Sequence, residues 1–155
     1  MVSLKKTSGL LKKEAFMFVY VRKAHYHETD MMGVVHHSNY LKWMEEARIA
    51  FMDFVGTGYA EVEKNSVVSP VTGVTVDYKK PVLFGDEIEI RLSVKAYTGI
   101  RLEICYKMFN RTRNEICTVA TSKHCFLKDG RVISMKKEMP TLDSKFAGYL
   151  AGAQS

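Results

Sequence analysis

The chain has 155 residues, of which 46% are hydrophobic, and a formal net charge of +6. This length and composition predict one compact domain with a hydrophobic core, and no apolar run approaches the roughly 20 residues of a membrane-spanning helix. The three cysteines form no C-x-x-C pair, which argues against a disulfide framework. Because the N-terminus lacks a secretory signal sequence, we expect a cytoplasmic protein.

The positive charge is spread along the chain in pairs such as Lys12 and Lys13 or Lys79 and Lys80. Scattered pairs favour a phosphorylated small molecule or an acidic carrier protein as partner, and we expect no nucleic acid. Residues 1–15 are interpreted as a flexible basic tail and not an import leader, because residues 2–13 contain no arginine. The folded domain is expected over 16–138, followed by a short helix or tail over 139–155.

The first folded elements are a β-rich segment, Phe16–Arg22, and a loop that is dense in reactive side chains. Between positions 26 and 37 this loop contains one tyrosine, three histidines and two carboxylates around one glycine: Tyr26, His27, Glu28, Asp30, Gly33, His36 and His37. Such a density exceeds that of an ordinary connecting loop. The loop is therefore the candidate site.

A long helix follows the loop. Its apolar residues recur every three or four positions, and Ser38 or Asn39 can cap its start, while Gly56 and Gly58 signal its end. Leu41, Ile49 and Met52 widen the apolar stripe, which predicts burial of most of the helix circumference. The free N–H groups at the helix start favour an anion, or an oxygen that becomes anionic in a transition state.

Four segments after the helix alternate with the period of two that is typical of half-buried strands. They are 71–78, 88–96, 100–108 and 116–127, with a short hairpin turn over 97–99 and a turn at Asp129-Gly130. One apolar helix and one apolar sheet face must cover each other. The predicted fold class is therefore α+β, with a curved antiparallel sheet around one long central helix.

The loop and the helix also carry a family motif. The pattern Y-x-x-x-D-x-x-G-x-V-x-H-x-x-Y-x-x-x-x-E-x-A-R, over positions 26–48, together with the segment 74–86, resembles hotdog-fold acyl-CoA thioesterases. The resemblance is to the 4-hydroxybenzoyl-CoA thioesterase type, and within it to the branch associated with the bacterial Tol-Pal system. It implies a homodimer or homotetramer in which two protomers join their sheets and share active sites across the seam.

The resemblance implies thioester hydrolysis with Asp30 as the catalytic carboxylate. Asp30 acts either as nucleophile or as general base, and the sequence leaves both routes open. A backbone N–H at or near His37 receives the thioester oxygen, and the His37 and Tyr26 side chains assist. The expected substrate-binding residues are Gly33 and Val35 in the loop and, for the nucleotide of acyl-CoA, Lys79, Lys80, Arg101 and Lys123. Neither a metal nor a cofactor is required.

Several alternatives stay open at this stage. Glu45 is a second candidate for the catalytic carboxylate, although an ion pair with Arg48 at i, i+3 is the expected role. A metal site built from loop histidines and carboxylates lacks a recognised ligand motif. The competing functions are an acyl-carrier-protein thioesterase, a non-catalytic hotdog acyl-binding protein and a hotdog dehydratase.

Overall fold

A computed structural model describes residues 16–56 and 62–150 and shows a single α+β fold. Five strands form the main sheet, and a smaller sheet contains three two-residue strands. The main strands are β1 (Phe18–Lys23), β3 (Val71–Tyr78), β4 (Glu87–Tyr97), β5 (Arg101–Asn110) and β6 (Glu115–Cys125); the small ones are β2 (Val67–Val68), β7 (Leu127–Lys128) and β8 (Arg131–Val132). The helices are α1 (Asn39–Val55), α2 (Met135–Glu138) and α3 (Pro140–Tyr149).

The main sheet is antiparallel and has the order β1-β4-β5-β6-β3. Along β4, β5 and β6, even-numbered residues such as Ile90, Tyr106 and Ala120 are buried, whereas most of their odd-numbered neighbours are partly or fully exposed. This alternation confirms the predicted strands and the hairpin turn between β4 and β5. The sheet therefore has one dry face, against which α1 packs, and one solvated face.

Helix α1 begins and ends close to the predicted positions. Ser38 is its N-cap, and Gly56 ends it with a φ of 86°, a left-handed conformation that glycine adopts without strain. Trp43, Met44 and Phe51 are fully buried against the sheet, and each contributes roughly 1.5–3 kcal/mol of hydrophobic stabilisation. Gly58, the second predicted stop signal, lies outside the described residues.

The prediction that α1 is buried on most of its circumference is wrong for the isolated protomer. Leu41, Ile49 and Phe54 are 45%, 40% and 37% exposed. The sheet covers only one side of the helix, where β4 and β1 contact α1, and leaves the opposite side open. The apolar side chains on that open side are buried only if another molecule or protomer covers them.

The C-terminal segment forms the predicted short helix and closes one end of the core. Leu142 and Phe146 of α3 are fully buried, and the ring of Phe146 lies 5.4 Å from that of Tyr97. The Tyr97 hydroxyl donates to the Asp143 carboxylate at 2.5 Å. Residues 1–15, predicted as a basic tail, lie outside the described part of the chain. None of the described helices is long and apolar enough to cross a membrane.

A buried carboxylate, that of Glu28, joins β1, the loop and α1. Arg22 on β1 donates two hydrogen bonds to it, at 2.8 and 3.0 Å, and the Trp43 indole N–H donates a third at 2.7 Å. The His25 backbone N–H adds a fourth at 2.8 Å. Because the Arg22 and Glu28 side chains are only 7% and 6% exposed, neither charge has water as an alternative partner.

The Asp86 carboxylate anchors the other side of the loop. It accepts hydrogen bonds from the Leu83 backbone N–H, the Asn110 amide and the Arg113 guanidinium. Burial alone would raise the pKa of Asp86, but these donors outweigh it and lower the pKa below its ordinary value. Asp86 thus fixes the segment 82–86. This segment holds the loop, since the Val35 N–H donates to the Val82 carbonyl at 2.8 Å.

We predict that Glu28→Gln lowers the free energy of unfolding by about 3 kcal/mol or more, as expected when one partner of a buried ion pair is removed. The glutamine amide has the shape of the carboxylate, but its NH2 group would face the N–H donors of Arg22, His25 or Trp43 and could accept no hydrogen bond from them. Urea denaturation measures the change. Glu103→Gln is the matched control, because Glu103 pairs with the exposed Lys95 and the same substitution there should cost less than about 1 kcal/mol. Equal losses in both variants would contradict the anchoring role.

Candidate active site

Asp30 lies at the tip of a narrow hairpin in the loop. Its N–H donates to the Val34 carbonyl, and the Gly33 N–H donates back to the Asp30 carbonyl, at 2.9 and 3.0 Å. Gly33 has a φ of 77°, which a residue with a side chain adopts only with strain. One carboxylate oxygen, Oδ1, accepts the Met32 N–H at 2.8 Å. Within the described residues the second oxygen accepts no hydrogen bond, so it is available to a ligand.

His37 lies at the base of the same hairpin, immediately before α1. Its carbonyl accepts the Tyr78 hydroxyl at 3.0 Å, and its ring packs at a tilt against that of His36 with 4.1 Å between centroids. In the hydrogen bonds that the described residues make with one another, the His37 backbone N–H is not used. A free N–H at this position, with the dipole of α1 behind it, is suited to an oxygen that carries negative charge.

Asn39 holds the helix start to the loop. Its side-chain amide donates to the Glu28 carbonyl at 2.9 Å, and the His36 N–H donates to the same carbonyl at 2.8 Å. Both contacts depend on Glu28, whose side chain is fixed as described above. These two hydrogen bonds therefore join the loop directly to the N-terminus of the helix.

Tyr26 and Val35 lie in different surroundings. The Tyr26 side chain is 76% exposed, and its ring packs edge-on against Phe84 at 5.7 Å. Among the described residues it makes no hydrogen bond to Asp30, and neither does His37. Val35 is buried and pairs with Thr29 across the hairpin. The protomer thus groups Asp30, Gly33 and Val35 in one hairpin, with His37 at its base and Tyr26 on its outer surface.

The four basic residues expected to bind a nucleotide fall into two groups. Lys79 and Lys80 follow β3 beside the start of α1, and Lys79 pairs with Asp77 at 2.9 Å. Lys123 lies opposite Gly73, near the other end of β3, whereas Tyr78 lies opposite Thr118. Five strand positions, roughly 17 Å, separate these two levels of the sheet. Arg101, opposite Cys125, belongs to the far group.

Glu45 and Arg48 do not form the predicted ion pair. Arg48 instead donates to the Tyr106 hydroxyl at 3.1 Å, and no carboxylate of the described chain lies within ion-pair distance of it. The prediction failed because i, i+3 spacing considers only the helix, whereas Tyr106 approaches Arg48 from the sheet. In residues 16–56 and 62–150, no three His, Cys, Asp or Glu side chains are grouped so that they could hold a metal ion.

Sequence reasoning missed two residues that shape this site, Tyr78 and Glu28. Tyr78 was read only as the end of a strand, yet it binds the His37 carbonyl and packs on Tyr40, 5.1 Å between ring centroids. Glu28 was grouped with the reactive loop residues. The buried Arg22 and Trp43 that fix it lie six and fifteen positions away, so no local pattern identifies them.

Comparison with known proteins agrees with this architecture. A family profile described as the Thioesterase-like superfamily matches residues 24–144. The putative acyl-CoA thioesterase YneP of Bacillus subtilis is 37% identical over 117 residues, which are 74% of this chain and 84% of that protein. A putative esterase of Aquifex aeolicus is 32% identical over 123 residues, 79% of this chain and 94% of that protein.

Solved structures give the same fold. The crystal structure of a DHNA-CoA thioesterase from Staphylococcus aureus superposes with a TM-score of 0.82 and 29% identity, over 85% of this chain and 89% of that one. The BH1999 gentisyl-coenzyme A thioesterase superposes with a TM-score of 0.72 at 23% identity, over 83% and 98% of the two chains. The predicted hotdog fold is confirmed. The chain belongs to the Thioesterase-like superfamily and is a thioester hydrolase.

Proposed function

We propose that the protein hydrolyses acyl-CoA thioesters to CoA and a carboxylic acid, as an enzyme of the 4-hydroxybenzoyl-CoA thioesterase type. The observation that carries this proposal is the pairing of a partly free Asp30 carboxylate with an unused N–H at the base of the same hairpin. A thioester carbonyl between them meets a nucleophile or base on one side and an oxyanion donor on the other. Assignment to the Tol-Pal branch stays a prediction.

The chemistry requires little more than these two groups. A thiolate is a good leaving group, so either of two routes suffices. The carboxylate attacks the thioester carbon and expels the thiolate, and water then hydrolyses the mixed anhydride; or the carboxylate deprotonates a water that attacks the carbon and expels the thiolate. In either route negative charge develops on the carbonyl oxygen and is stabilised by the His37 N–H and the α1 dipole. The Met32 N–H fixes the Asp30 rotamer, and the exposed His37 ring can protonate the departing thiolate. We assign Tyr26 and Gly33 to the walls of the entrance, and the buried Val35 to the support of the hairpin beneath it.

Asp30→Asn tests the role of Asp30. The amide preserves the hairpin but lacks the charged lone pair, so kcat should fall by at least about 100-fold, the contribution typical of a positioned acid or base. Thiol release from acyl-CoA measures kcat, and circular dichroism verifies the fold. Asp53→Asn, an exposed position on α1, is the control and should keep wild-type turnover. Near-normal turnover of Asp30→Asn would exclude Asp30 and leave Glu45 as the candidate.

We further propose that the active species is a homodimer, or a tetramer built from it, joined at β3. In the main sheet β3 is an edge strand, and its Val71, Val74 and Tyr78 are 47%, 40% and 48% exposed. An unpaired edge with apolar side chains favours pairing with an identical strand. Two copies related by a two-fold axis through the strand centre pair antiparallel, so that the Tyr78 end of one β3 meets the Val71 end of the other.

Val74→Lys should separate the dimer. In the dimer the two new ammonium groups, one from each protomer, lie close together at the seam, where charges prevent edge pairing. In the monomer position 74 is exposed and tolerates lysine. Sedimentation velocity at micromolar concentration should show a dimer for wild type and a monomer for the variant, with loss of activity. Val132→Lys, at another exposed valine, should remain dimeric. A fully active Val74→Lys monomer would contradict the shared-site proposal.

The same dimer brings the two basic groups together. Antiparallel pairing of two β3 strands places Lys79 and Lys80 of one protomer near the Val71 end of the partner's β3, the level of the sheet at which Lys123 of β6 and Arg101 of β5 lie. Charges that are separated by roughly 17 Å within one protomer thus converge at the seam. We propose that they bind the phosphates of CoA. An acidic carrier-protein thioester is the alternative substrate, since the same charges suit it.

Salt dependence tests this assignment. Raising the ionic strength should raise KM for an acyl-CoA with much less effect on kcat, because a remote charge contact is present equally in ground and transition states. A truncated thioester that lacks the nucleotide should show no such dependence. Equal salt sensitivity of the two substrates would remove the nucleotide assignment.

A further inference from the structure

The backbone N–H groups at the start of α1 are not equivalent. The His36 N–H donates to the Glu28 carbonyl at 2.8 Å, and the Asn39 N–H donates to the His36 carbonyl at 3.0 Å. The Ser38 N–H donates to the His36 ring nitrogen Nδ1 at 3.2 Å. Of the four consecutive N–H groups from His36 onward, that of His37 is the one with no acceptor in the described part of the chain. The local contacts therefore leave one donor here for a substrate oxygen.

Two peptide groups meet at His37, and hydrogen bonds hold both of them. The first joins His36 to His37 and carries the unused N–H. Its carbonyl accepts the Asn39 N–H at 3.0 Å and the Asn39 side-chain amide at 3.4 Å. The second joins His37 to Ser38, and its carbonyl accepts the Tyr78 hydroxyl at 3.0 Å. Because the two planar groups share the Cα atom of His37, the unused N–H keeps its direction only while both planes are held.

The Tyr78 contact differs from the others because it comes from the sheet. Glu28, His36 and Asn39 belong to the loop and to the helix start, so their hydrogen bonds preserve the local turn around His37. The Tyr78 hydroxyl instead joins the His37 carbonyl to the end of β3, 41 positions further along the chain. It therefore fixes the position of the turn relative to the sheet.

The sheet and helix α1 hold Tyr78 itself in place. Strand β3 pairs with β6 up to and including Tyr78. The next two N–H groups, those of Lys79 and Lys80, both donate to the Cys117 carbonyl, at 2.9 and 3.0 Å. The Tyr78 ring packs edge-on against the buried ring of Tyr40 in the first turn of α1. The hydroxyl thus reaches the loop from a fixed base, although Tyr78 is 48% exposed.

We propose that Tyr78 is a positioning residue for thioester hydrolysis: its hydroxyl holds the peptide between His37 and Ser38, so that the His37 N–H stays directed at the thioester oxygen. The inference rests on the proposed function. A fixed donor stabilises the transition state more than the bound substrate, because the oxygen gains negative charge as the thioester carbon is attacked. A donor that can rotate loses part of this difference. Tyr78 acts through the peptide and needs no contact with the substrate.

Tyr78→Phe tests the proposal, because it removes the hydroxyl and keeps the ring that packs on Tyr40. With an acyl-CoA, kcat should fall about three- to tenfold, the effect expected from one neutral hydrogen bond. KM should change much less, since the lost interaction acts in the transition state. Tyr20→Phe is the matched control: it removes a hydroxyl that donates to Glu46 at 3.1 Å, between β1 and α1, and should keep wild-type kcat. Wild-type kcat in Tyr78→Phe would overturn the proposal.

A dithioester substrate separates positioning from a general loss of active protein. In a dithioacyl-CoA a sulfur atom replaces the carbonyl oxygen, so the negative charge develops on an atom that accepts hydrogen bonds weakly. The direction of the His37 N–H then matters less. Tyr78→Phe should therefore lose much less of its kcat with the dithioester than with the thioester of the same acyl group. A variant with merely less folded protein would lose both equally, and an equal loss would overturn the positioning role.

NMR measures the contact itself without turnover. His37-Ser38 is the one His-Ser step in the sequence, so protein labelled with ¹³C at the histidine carbonyl and ¹⁵N at serine gives a single signal for this peptide. The signal should shift in Tyr78→Phe, which removes the donor to the carbonyl, and stay in place in Tyr20→Phe. An unshifted signal in Tyr78→Phe would overturn the proposal. Near-normal turnover of Asp30→Asn would instead refute the proposed function, and this signal does not depend on that result.

Discussion

The buried ion pair between Arg22 and Glu28 is the contact on which the loop geometry depends. It joins the first strand to the loop, and the Trp43 indole extends the contact into the centre of α1. Arg22 also lies over the Trp43 ring, 4.5 Å from its centroid, which adds a cation–π interaction. The first strand, the loop and α1 are thus connected through one carboxylate. Because the Glu28 carboxylate is buried, water cannot replace a donor that is lost.

The strands and the central helix were predictable because buried positions recur with a fixed period along each element, and the hydrophobic residues of the sequence show the same period. Alternation along β4, β5 and β6 identifies the buried face, and the spacing of Trp43, Met44 and Phe51 identifies the buried side of α1. The ends of α1 were also predictable, since Gly56 adopts a conformation that few other residues accept. These features depend on neighbours within a few positions of one another.

Contacts between distant positions were not predictable in this way. Arg48 was expected to pair with Glu45 but binds Tyr106, 58 positions further along the chain. The basic residues were expected to act together, yet strand register divides them between the two ends of β3. The spacing of residues along the sequence reveals neither the register between strands of a sheet nor the distance between elements. The turn beside Asp30, by contrast, is indicated locally by Gly33, whose φ of 77° suits glycine.

Glu28 and Asp30 lie two residues apart, and their environments give them opposite properties. Four donors surround the Glu28 carboxylate, from Arg22, Trp43 and the His25 N–H, so that its oxygens are occupied. The Asp30 carboxylate accepts one N–H at the tip of an exposed hairpin. A nucleophile or base needs an accessible lone pair, whereas an anchor needs all of its lone pairs bound. The accessibility of each carboxylate in this loop therefore follows from the number of donors around it and not from residue type.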